Sequence, residues 1–469
     1  MSDAVATAQQ GLVEKYQPYP EYKDSGVEWL GDVPTDWRVI KLGFLATKIG
    51  SGKTPSGGAT VYVDDGITFL RSQNVYDDGL RLDDVVHITP DVDIEMAHSR
   101  VKPMDILINI TGASIGRTCI VPLGIGSANV NQHVCIIRLN KSEIIRFVSW
   151  AVKAQSTKAQ IDNAQTGAAR EGMNFEQIAS LLLSLPPETE CEQISDFLDY
   201  ETARIDRLIA HQQRLIELLK EKRQALISHA VTKGLNPKAP MKDSGVEWLG
   251  QVPEHWQCVP FGLLVSRADL GGNYLGGQEE NGIPFLKMGN LGRGCIVLDK
   301  LECLEEGSSF DDAHRLSMGD FLFNTRNSLD LVGKVAVWHD ELEYALYNSN
   351  LLRVRFKKDF ISSPDFMGFV FNSSGALGWL ALLAKGTTSV AAIYYKDLRS
   401  MVVPIPPVDE QNAISSFISK CLSRLDTLEE KAIQSINLMN ERRTALISAA
   451  VTGKIDLRGW TPPAEKAAA

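Results

Sequence analysis

The sequence predicts an α+β protein made of two tandem copies of one module, in which a globular α/β block is followed by a long helix. The first observation is a nine-residue segment, Lys-Asp-Ser-Gly-Val-Glu-Trp-Leu-Gly, that occupies residues 23–31 and recurs unchanged at residues 242–250. The second is an ungapped match of residues 185–237 to residues 405–457, with 20 identities in 53 positions. The offset of 220 residues is far longer than a solenoid repeat, which indicates that a whole module is duplicated.

The blocks between the repeated segments differ in sequence but keep a common skeleton. Three pairs of segments align: 69–75 with 285–291, 105–109 with 320–324, and 133–139 with 350–356. Strands are predicted at three short apolar runs bounded by Gly, Asn and Asp: 67–70, 105–110 and 133–139. A helix is predicted over 142–161, with its counterpart over 364–383. We therefore expect both blocks to be α/β.

Each Pro-Pro pair, at 186–187 and 406–407, is followed by apolar residues with three- and four-residue spacing, which predicts a long helix with a heptad-like seam. The seam residues are Ile194, Leu198, Ile205, Leu208, Leu215, Leu219 and Leu226, and in the second copy Ile414, Ile418, Leu425, Leu428, Met439 and Leu446. A helix of about 40 residues is roughly 60 Å long and would not be stable alone. We therefore expect the two helices to pack against each other, with stops at Gly234 and Gly453.

Polar residues interrupt this seam at four positions: Glu201, Gln212, Lys222 and His229. Two explanations stay open. The interruptions fit ordinary variation at a partly exposed seam, and they also fit a contact for a third helix.

The composition is that of an ordinary globular protein, with 44% hydrophobic and 23% charged residues. No stretch approaches the roughly 20 apolar residues of a membrane span, and residues 1–10 lack the basic and apolar segments of a secretory signal. The seven cysteines are scattered and form no Cys-x-x-Cys pair, so neither a zinc ribbon nor a disulfide framework is indicated. We expect a cytoplasmic protein without a membrane partner.

The net charge of −10 argues against a chain that binds a polyanion through its overall charge. Residues 38–165 carry 14 basic and 12 acidic side chains, whereas residues 257–385 carry 12 and 16. Neither block is strongly basic. If nucleic acid is bound, local patches or a partner must neutralise much of the phosphate charge.

The sequence contains only partial matches to motifs for catalysis or cofactor binding. Gly-Ser-Gly-Lys-Thr at 50–54 is like a phosphate-binding loop, but Thr47 stands where that motif requires its first glycine. Neither Pro-Pro pair follows the Asp or Asn of an amino-methyltransferase loop, and the acidic run at 90–95 lacks the lysine of a nuclease centre. The eight His residues show no metal-ligand spacing. We therefore predict no catalytic, cofactor-binding or metal-binding residues.

Loops rich in small polar residues remain as candidates for binding. Residues 111–117 align with 325–334, residues 129–132 with 345–349, and residues 166–170 with 386–390. Asn, Gln and Arg make paired hydrogen bonds with base edges, whereas Ser, Thr, Lys and Gly amides suit phosphates. Such loops are also common in globular proteins, so their composition alone leaves nucleic-acid binding open.

Together, these features resemble the specificity (S) subunit of type I restriction-modification systems, the HsdS family. One basis is the duplicated segment, which continues in both copies into Val-Pro-x-x-Trp and ends at Trp37 and Trp256. Another is a segment from an aromatic residue to Ile or Leu, at 175–178 and 395–398, that leads to Leu/Ile-Pro-Pro and the long helix. The resemblance covers about residues 22–457.

The resemblance implies two target-recognition domains in a pseudo-twofold tandem repeat, joined by two long helices packed as an antiparallel coiled coil. The implied segments are an N-terminal extension at 1–21, a first target-recognition domain at 22–184, a first spacer helix at 185–235, a second target-recognition domain at 236–404 (where 241–256 repeat 22–37), a second spacer helix at 405–455 and a C-terminal tail at 456–469. We expect the tail to be frayed from residue 459. The family's Glu-Gln pair stands at 410–411, whereas the first copy has Glu190-Cys191.

The resemblance also implies a function. Each target-recognition domain of the family reads one half of a split double-stranded DNA target, and the coiled coil sets the gap. The helices dock two M (methyltransferase) subunits, which hold S-adenosylmethionine and methylate adenine N6. R (motor/nuclease) subunits join them for cleavage that uses ATP and Mg²⁺. This implies a non-catalytic chain with no cofactor of its own, which agrees with the missing catalytic motifs.

Candidate DNA-binding residues follow from the polar loops and the resemblance together. They are Lys48, Lys53, Thr111, Ser114, Arg117, Asn131 and Gln132 in the first block, and Lys287, Arg293, Arg326, Asn327, Ser328 and Asn348 in the second. Each has an alternative role in a turn or a structural hydrogen bond. Two other classes of function stay open: a scaffold whose variable domains bind protein, and a stand-alone DNA enzyme with an unrecognised site.

Overall fold

The computed structural model describes residues 15–165, 172–277, 282–305, 307–386 and 390–463. The chain forms two compact units, one of residues 1–212 with 433–469 and the other of residues 213–432. Each unit therefore combines one globular block with part of each long helix. Of the third pair of polar loops, residues 166–170 and 387–389 lie outside the described residues.

The described residues of the first unit form two main sheets and four short helices. Its strands are β1 (Tyr22–Asp24), β2 (Asp32–Pro34), β3 (Arg38–Lys41), β4 (Ala46–Ser51), β5 (Ile67–Leu70), β6 (Val75–Tyr76), β7 (Gly79–Leu80), β8 (Val86–Ile88), β9 (Ile106–Asn109), β10 (Thr118–Ile120), β11 (Ala128–Val130), β12 (Val134–Leu139) and β13 (Leu182–Leu185). Its helices are α1 (Pro90–Glu95), α2 (Ile145–Lys153), α3 (Gln155–Gln165), α4 (Phe175–Ser180) and the first part of α5 (Glu188–Lys233). The predicted strands at 67–70, 105–110 and 133–139 are confirmed as β5, β9 and β12.

The second unit is built from the same parts. Its strands are β14 (Met241–Asp243), β15 (Gln251–Pro253), β16 (Gln257–Pro260), β17 (Val265–Leu270), β18 (Gly276–Gly277), β19 (Pro284–Leu286), β20 (Glu302–Leu304), β21 (Phe321–Asn324), β22 (Arg326–Asn327), β23 (Val335–Val337), β24 (Leu346–Tyr347), β25 (Leu351–Phe356), β26 (Lys385–Gly386), β27 (Ala391–Ala392) and β28 (Val402–Ile405). Its helices are α6 (Phe261–Leu264), α7 (Pro364–Phe371), α8 (Ser374–Leu383), α9 (Tyr395–Leu398) and α10 (Val408–Val451), whose residues from 433 belong to the first unit.

The central sheets confirm the duplication. The first unit has an antiparallel sheet in the order β4–β12–β9–β10, and the second has β17–β25–β21–β23 in the same order. A buried core lies against each sheet and includes the repeated tryptophan, Trp37 in one unit and Trp256 in the other. Both units thus keep one sheet topology around buried central strands, β9 and β12 in the first and β21 and β25 in the second, while the loops diverge.

The repeated segments meet in space through a tryptophan and a glutamate. Trp37 Nε1 donates to Glu190 Oε1 at 3.2 Å, and Trp256 Nε1 donates to Glu410 Oε2 at 3.1 Å. A buried indole N–H requires an acceptor, and the carboxylate just after Pro-Pro supplies it. This contact explains why Val-Pro-x-x-Trp and Pro-Pro-x-x-Glu recur together.

The helix predicted over 142–161 is wrong in one respect, because it and its counterpart each consist of two helices. Ala154, between α2 and α3, has extended backbone angles, and so has Ser373, between α7 and α8. At the break the Gln155 N–H donates to Ser448 Oγ at 3.2 Å, and the Ser374 N–H donates to Ser228 Oγ at 2.9 Å. The serine of the repeated Ala-Leu-Ile-Ser therefore satisfies a freed helix-start donor in each unit.

The long helices α5 and α10 pack antiparallel. In the second unit Arg223 pairs with Asp426, and Lys220 lies 3.9 Å from Glu429. The earlier residue of α5 thus pairs with the later residue of α10, so the two helices run in opposite directions. In the first unit Asp206 pairs with Arg443. In the repeat, Asp206 aligns with Asp426 and Arg443 aligns with Arg223. The same ion pair therefore occurs in both units, and the helices have the same register in each.

The predicted seam residues differ in exposure. Eight are buried: Ile194, Leu198, Ile205, Leu219, Ile414, Ile418, Leu425 and Leu446. Leu226 and Met439 are half-buried, but Leu208, Leu215 and Leu428 are 43%, 40% and 48% exposed. A helix of 3.6 residues per turn drifts by about 20° per heptad, so residues seven apart do not all stay on one face. The two stop residues, Gly234 and Gly453, have positive φ angles of 72° and 69°, as helix-ending glycines do.

The start of the C-terminal tail is packed rather than frayed. Trp460 stacks edge-on against Phe197 with ring centroids 5.3 Å apart, and the Asp456 N–H donates to the Gln17 carbonyl at 2.8 Å. Burying the indole against an aromatic ring outweighs the freedom of a chain end at residue 460. The equivalent phenylalanine of the second unit, Phe417, is 44% exposed.

No single helix in the described ranges is long and apolar enough to cross a membrane. One bent pair, α7 and α8, meets the length and composition only when the two are taken together, across a 71° bend. Phe366, Val370 and Leu380 of this pair belong to the buried core of the second unit.

Candidate nucleic-acid interface

Three loops converge at one edge of the first unit, each directly after a strand. The Asn131 N–H donates to the Leu70 carbonyl at 3.0 Å, which ties the loop after β11 to the end of β5. The Ile110 N–H donates to the His133 carbonyl at 3.0 Å, which ties in the loop after β9. Asn109 is fully buried, and its Nδ2 bonds the Ser72 carbonyl at 2.8 Å and Ser114 Oγ at 3.0 Å. Backbone pairing thus fixes the loops before any ligand is present.

A fourth loop, at 50–54, packs against these through Gly52. Its N–H donates to the Asn131 carbonyl at 3.1 Å, and a Cβ on Gly52 would lie 1.6 Å from the Val130 carbonyl oxygen. Only glycine allows this approach of two backbones. The second unit repeats the device at Gly271, where a Cβ would lie 2.0 Å from the Tyr347 carbonyl oxygen. Gly52, one of the two glycines that suggested a phosphate loop, therefore has a packing role.

The converging loops of the first unit surround a cavity of about 480 Å³. It is lined by Ser72, Gln73, Tyr76, Thr111, Gly112, Ala113, Ser114, Arg117 and His133. The structure thus brings together three of the predicted residues, Thr111, Ser114 and Arg117. None of these lining residues carries a carboxylate, so the cavity is neutral to cationic and suits an electron-rich ligand.

A hydrogen-bond chain runs along the rim of this cavity. Thr54 Oγ1 donates to Gln132 Oε1 at 2.6 Å, Gln132 Nε2 lies 2.9 Å from His133 Nε2, and His133 Nδ1 lies 2.6 Å from Thr111 Oγ1. The chain orients the predicted residues Gln132 and Thr111 through a histidine that the sequence did not single out. Lys53, next to Thr54, is exposed.

Two predicted residues of the first block are held in structural contacts. Lys48 Nζ donates to the His98 carbonyl, and burial lowers the pKa of its ammonium group. Asn131 is 9% exposed, and its Oδ1 accepts from the His133 N–H at 3.0 Å, which forms a turn. Asn129, from the same polar loop, is fully buried between Ser99 and Asp93.

The second unit has an equivalent edge with different side chains. The Asn348 N–H donates to the Leu286 carbonyl at 2.9 Å and the Thr325 N–H to the Asn350 carbonyl at 3.0 Å, as in the first unit. The cavity here measures about 310 Å³. It is lined by Leu270, Thr325, Arg326, Ser349, Asn350, Leu352, Ala392, Ile393, Tyr394 and Tyr395. Only Arg326 among the predicted residues lines it, and the aromatic content is higher.

The other predicted residues of the second block lie around this edge. Lys287 forms an ion pair with Glu302, and Arg293 Nη2 donates to the Asp330 carbonyl at 3.1 Å. Burial lowers the pKa of the Arg293 guanidinium. Asn327 Oδ1 accepts from the N–H of Ser328, which is exposed, at 2.9 Å. Asn348 is 8% exposed, and its Oδ1 accepts from the Asn350 N–H at 3.1 Å.

Sequence reasoning did not single out Tyr76, His133, Asn350 or Tyr394 as lining residues. A signal existed for His133 and Asn350, because each begins an aligned apolar run, at 133–139 and 350–356. No sequence pattern marks Tyr76 or Tyr394. In the described ranges, no group of three or more His, Cys, Asp or Glu side chains is placed to hold a metal ion.

Comparison with known proteins decides the family. A family model described as the type I restriction modification DNA specificity domain matches residues 34–219 and again residues 277–438. The chain belongs to this family. As a member of the type I specificity subunits, it has the tandem pair of recognition domains and the packed long helices that the sequence predicted.

Individual relatives match along nearly the whole chain. The specificity subunit of the type I restriction enzyme EcoKI from Escherichia coli strain K12 is 23% identical over 433 residues, which cover 91% of this chain and 90% of the relative. That of MjaVIII from Methanocaldococcus jannaschii is 25% identical over 438 residues, covering 91% and 94%. A chain from a solved type I restriction-modification assembly has a TM-score of 0.66 at 16% identity, covering 89% of this chain and 98% of that one. The crystal structure of the HsdS subunit from Thermoanaerobacter tengcongensis has a TM-score of 0.50 at 15% sequence identity, covering 90% of this chain and 98% of that one.

Specificity subunits are the non-catalytic subunits of type I systems, in which the catalytic activity lies in the M and R subunits. The chain is therefore a DNA-specificity component of a type I restriction-modification system.

Proposed function

We propose that each unit of this specificity subunit reads one half of a two-part, asymmetric DNA target. The observation that carries the proposal is that one loop cluster occurs in each unit with the same backbone hydrogen bonds but different side chains. Because the backbone hydrogen bonds are the same, both loop clusters lie at the same edge of their sheets. Because the side chains differ, the two clusters favour different bases. An asymmetric target follows, because the two halves are read by different residues.

The proposed contacts with DNA are polar groups that line the two cavities or lie in the loops beside them. In the first unit they are Lys53, Thr111, Ser114, Arg117 and Gln132, with His133 and Tyr76 beside them. In the second they are Arg326, Asn327 and Ser328, with Tyr394. We assign Lys48, Asn131, Lys287, Arg293 and Asn348 to holding the loops, since they line neither cavity and have polar atoms engaged within the chain.

The long helices are proposed to set the gap between the half-sites. A continuous helix is a stiff element, so its length fixes a distance in the way that dimer geometry fixes half-site spacing in other DNA readers. The ion pairs Asp206–Arg443 and Arg223–Asp426 support this role, because they hold the helices in one register.

The same helices are proposed to dock two copies of an M subunit. The first unit exposes Leu208 and Leu438, at 43% and 64%, and the second exposes the equivalent leucines Leu428 and Leu218, at 48% and 45%. Two equivalent apolar patches fit two copies of one partner. That partner would bind S-adenosylmethionine and methylate adenine N6, and R subunits with ATP and Mg²⁺ would add cleavage. Since the substrate is genomic DNA, we place the complex in the cytoplasm.

Methylome sequencing tests the proposal. The chain is expressed with its cognate M subunit in a host that lacks adenine methylation, and modified adenines are mapped. We expect methylation at one two-part motif with a fixed gap and two different halves. No methylation from a stable complex, with an M subunit shown to be active beside another specificity subunit, would contradict the proposal and favour a protein-binding scaffold. Methylation by the purified chain alone would instead indicate an unrecognised enzyme.

A further inference from the structure

The cavity of the first unit is lined by an arginine, Arg117, whose guanidinium donors have no acceptor among the described residues. The guanidinium carbon of Arg117 lies 4.8 Å from the ring centroid of Tyr76, over the ring. Across the part of the chain that the structure describes, its guanidinium nitrogens have no acceptor. A guanidinium that is half-buried and held only by an aromatic face keeps its full set of N–H donors for a ligand.

A second arginine at the same ring provides a contrast. Arg81 lies with its guanidinium carbon 5.1 Å from the Tyr76 centroid, but its Nη2 is 2.5 Å from Asp78 Oδ2. Its charge is therefore paired within the protein. Of the two cations on this tyrosine, only Arg117 lines the cavity.

The chemistry of this arrangement matches one base edge best. The contact with the Tyr76 ring limits where the Arg117 guanidinium can lie, and the guanidinium keeps its paired N–H donors for a ligand. In the major groove, guanine presents two adjacent acceptors, O6 and N7, which such a fork binds together. A phosphate also accepts a guanidinium fork but does not require one, because lysine binds phosphate as a point charge.

The second unit has lost both members of the pair. The Asn109 N–H donates to the Arg117 carbonyl, and its equivalent, Asn324, donates to the Lys334 carbonyl, both at 2.9 Å. Lys334 therefore replaces Arg117. Gly292 replaces Tyr76, since each follows directly after its aligned segment, 69–75 or 285–291, and begins a turn with the same backbone hydrogen bond, from Arg81 to Asn74 or from Val297 to Asn290. The ring and the guanidinium thus occur together in one unit and are absent together from the other, as expected of a device that serves one half-site.

We propose that Arg117, held over the ring of Tyr76, reads a guanine in the half-site that the first unit contacts. The inference rests on the proposed function and deepens it by naming one base. The guanine occupies a single position of one half-site, and the second half-site does not depend on Arg117.

Methylome sequencing of Arg117→Lys and Arg117→Ala tests the inference. We expect the wild-type motif to contain a guanine that both variants cease to require, with discrimination at that position reduced about 10- to 100-fold. All other positions and the gap are expected to stay as in the wild type. Arg81→Ala, which removes the paired cation from the same ring, is the control and should keep the wild-type motif.

A measurement on purified complexes isolates the contact. Methylation rates are compared on duplexes with guanine or 7-deazaguanine at the candidate position, since 7-deazaguanine lacks only the N7 acceptor. The wild-type complex should be slowed about tenfold by this change, and the Arg117→Ala complex should be insensitive to it. Thermal unfolding curves of the Arg117→Ala complex that match those of the wild type verify that the variant is folded.

Two results would overturn the inference while leaving the proposed function intact. One is a set of Arg117 variants that weaken methylation equally at all sites with an unchanged motif, which indicates a phosphate contact. The other is equal sensitivity of wild type and Arg117→Ala to 7-deazaguanine. A wild-type chain that directs no methylation would instead remove the proposed function itself.

Discussion

Inserting one heptad into each long helix is expected to lengthen the gap of the DNA target by about three base pairs and to leave both half-sites unchanged. Duplicating residues 213–219 and 433–439 extends α5 and α10 at equivalent positions of the repeat, so their antiparallel register is kept. Seven residues add about 10 Å of helix, and base pairs are stacked about 3.4 Å apart. Methylome sequencing of the lengthened chain with its M subunit measures the new gap.

The control for this experiment is the same seven residues appended after Ala469, which adds chain without lengthening a helix. It should retain the original gap. An unchanged gap in the chain with lengthened helices, together with unchanged half-sites, would show that the helices do not measure the distance between the halves.

Gly52→Ala is expected to disable the first recognition edge. The new Cβ would lie 1.6 Å from the Val130 carbonyl oxygen, so the loop at 50–54 must move off the loop after β11 and lose the Gly52–Asn131 hydrogen bond. Crowding of two backbones that cannot both stay in place costs about 3 kcal/mol. We expect a loss of that size in the free energy of unfolding of the first unit, measured by hydrogen exchange of β9 and β12, and loss of methylation.

Gly50→Ala is the matched control, because the same methyl group is added two residues away with no neighbouring atom within 4 Å. It should change stability by less than about 0.5 kcal/mol and keep the wild-type motif. If Gly52→Ala were as stable as Gly50→Ala and directed the same methylation, the close approach of the two loops would not be needed for recognition.

Much of the fold follows from the sequence because duplication and apolar periodicity are strong signals. The repeat at an offset of 220 gives two modules, and the runs at 67–70, 105–110 and 133–139 give strands that pair in the same order in both units. The helix break at Ala154 could not be predicted, because its cause is a distant contact. The donor freed there is satisfied by Ser448, which follows it by almost 300 residues.

The candidate site could be predicted only in part. Thr111, Ser114 and Arg117 lie in one loop, and a single polar loop is visible in the sequence. Which other loop meets it depends on sheet topology. No pattern marked Tyr76, and the aligned run that begins at His133 did not show that this residue lies beside residues 111–117. Conversely, Asn131 and Asn348 have the composition of base-reading residues, but each completes a turn through its own side chain.

Buried ion pairs also could not be predicted from the sequence. Asp105 and Asp320 are 1% and 2% exposed and accept hydrogen bonds from Arg138 and Arg355, which no local pattern in the sequence indicates. The second unit also buries Arg353, opposite Asp269, where the aligned position of the first unit is Ile136. Such pairs depend on strands far apart in the chain, and so they become visible only in the folded sheet.

Exchanging one recognition block tests most directly whether each unit reads its own half of the target. Residues 236–404 are replaced by the corresponding block of a specificity subunit with a different known target, and the methylome of the chimaera is determined with the cognate M subunit. The account predicts a hybrid motif in which one half-site is retained, the other is that of the donor, and the gap is unchanged. A chimaera that methylates the original motif in full, or one that changes both half-sites together, would contradict the claim that each unit reads its own half of the target.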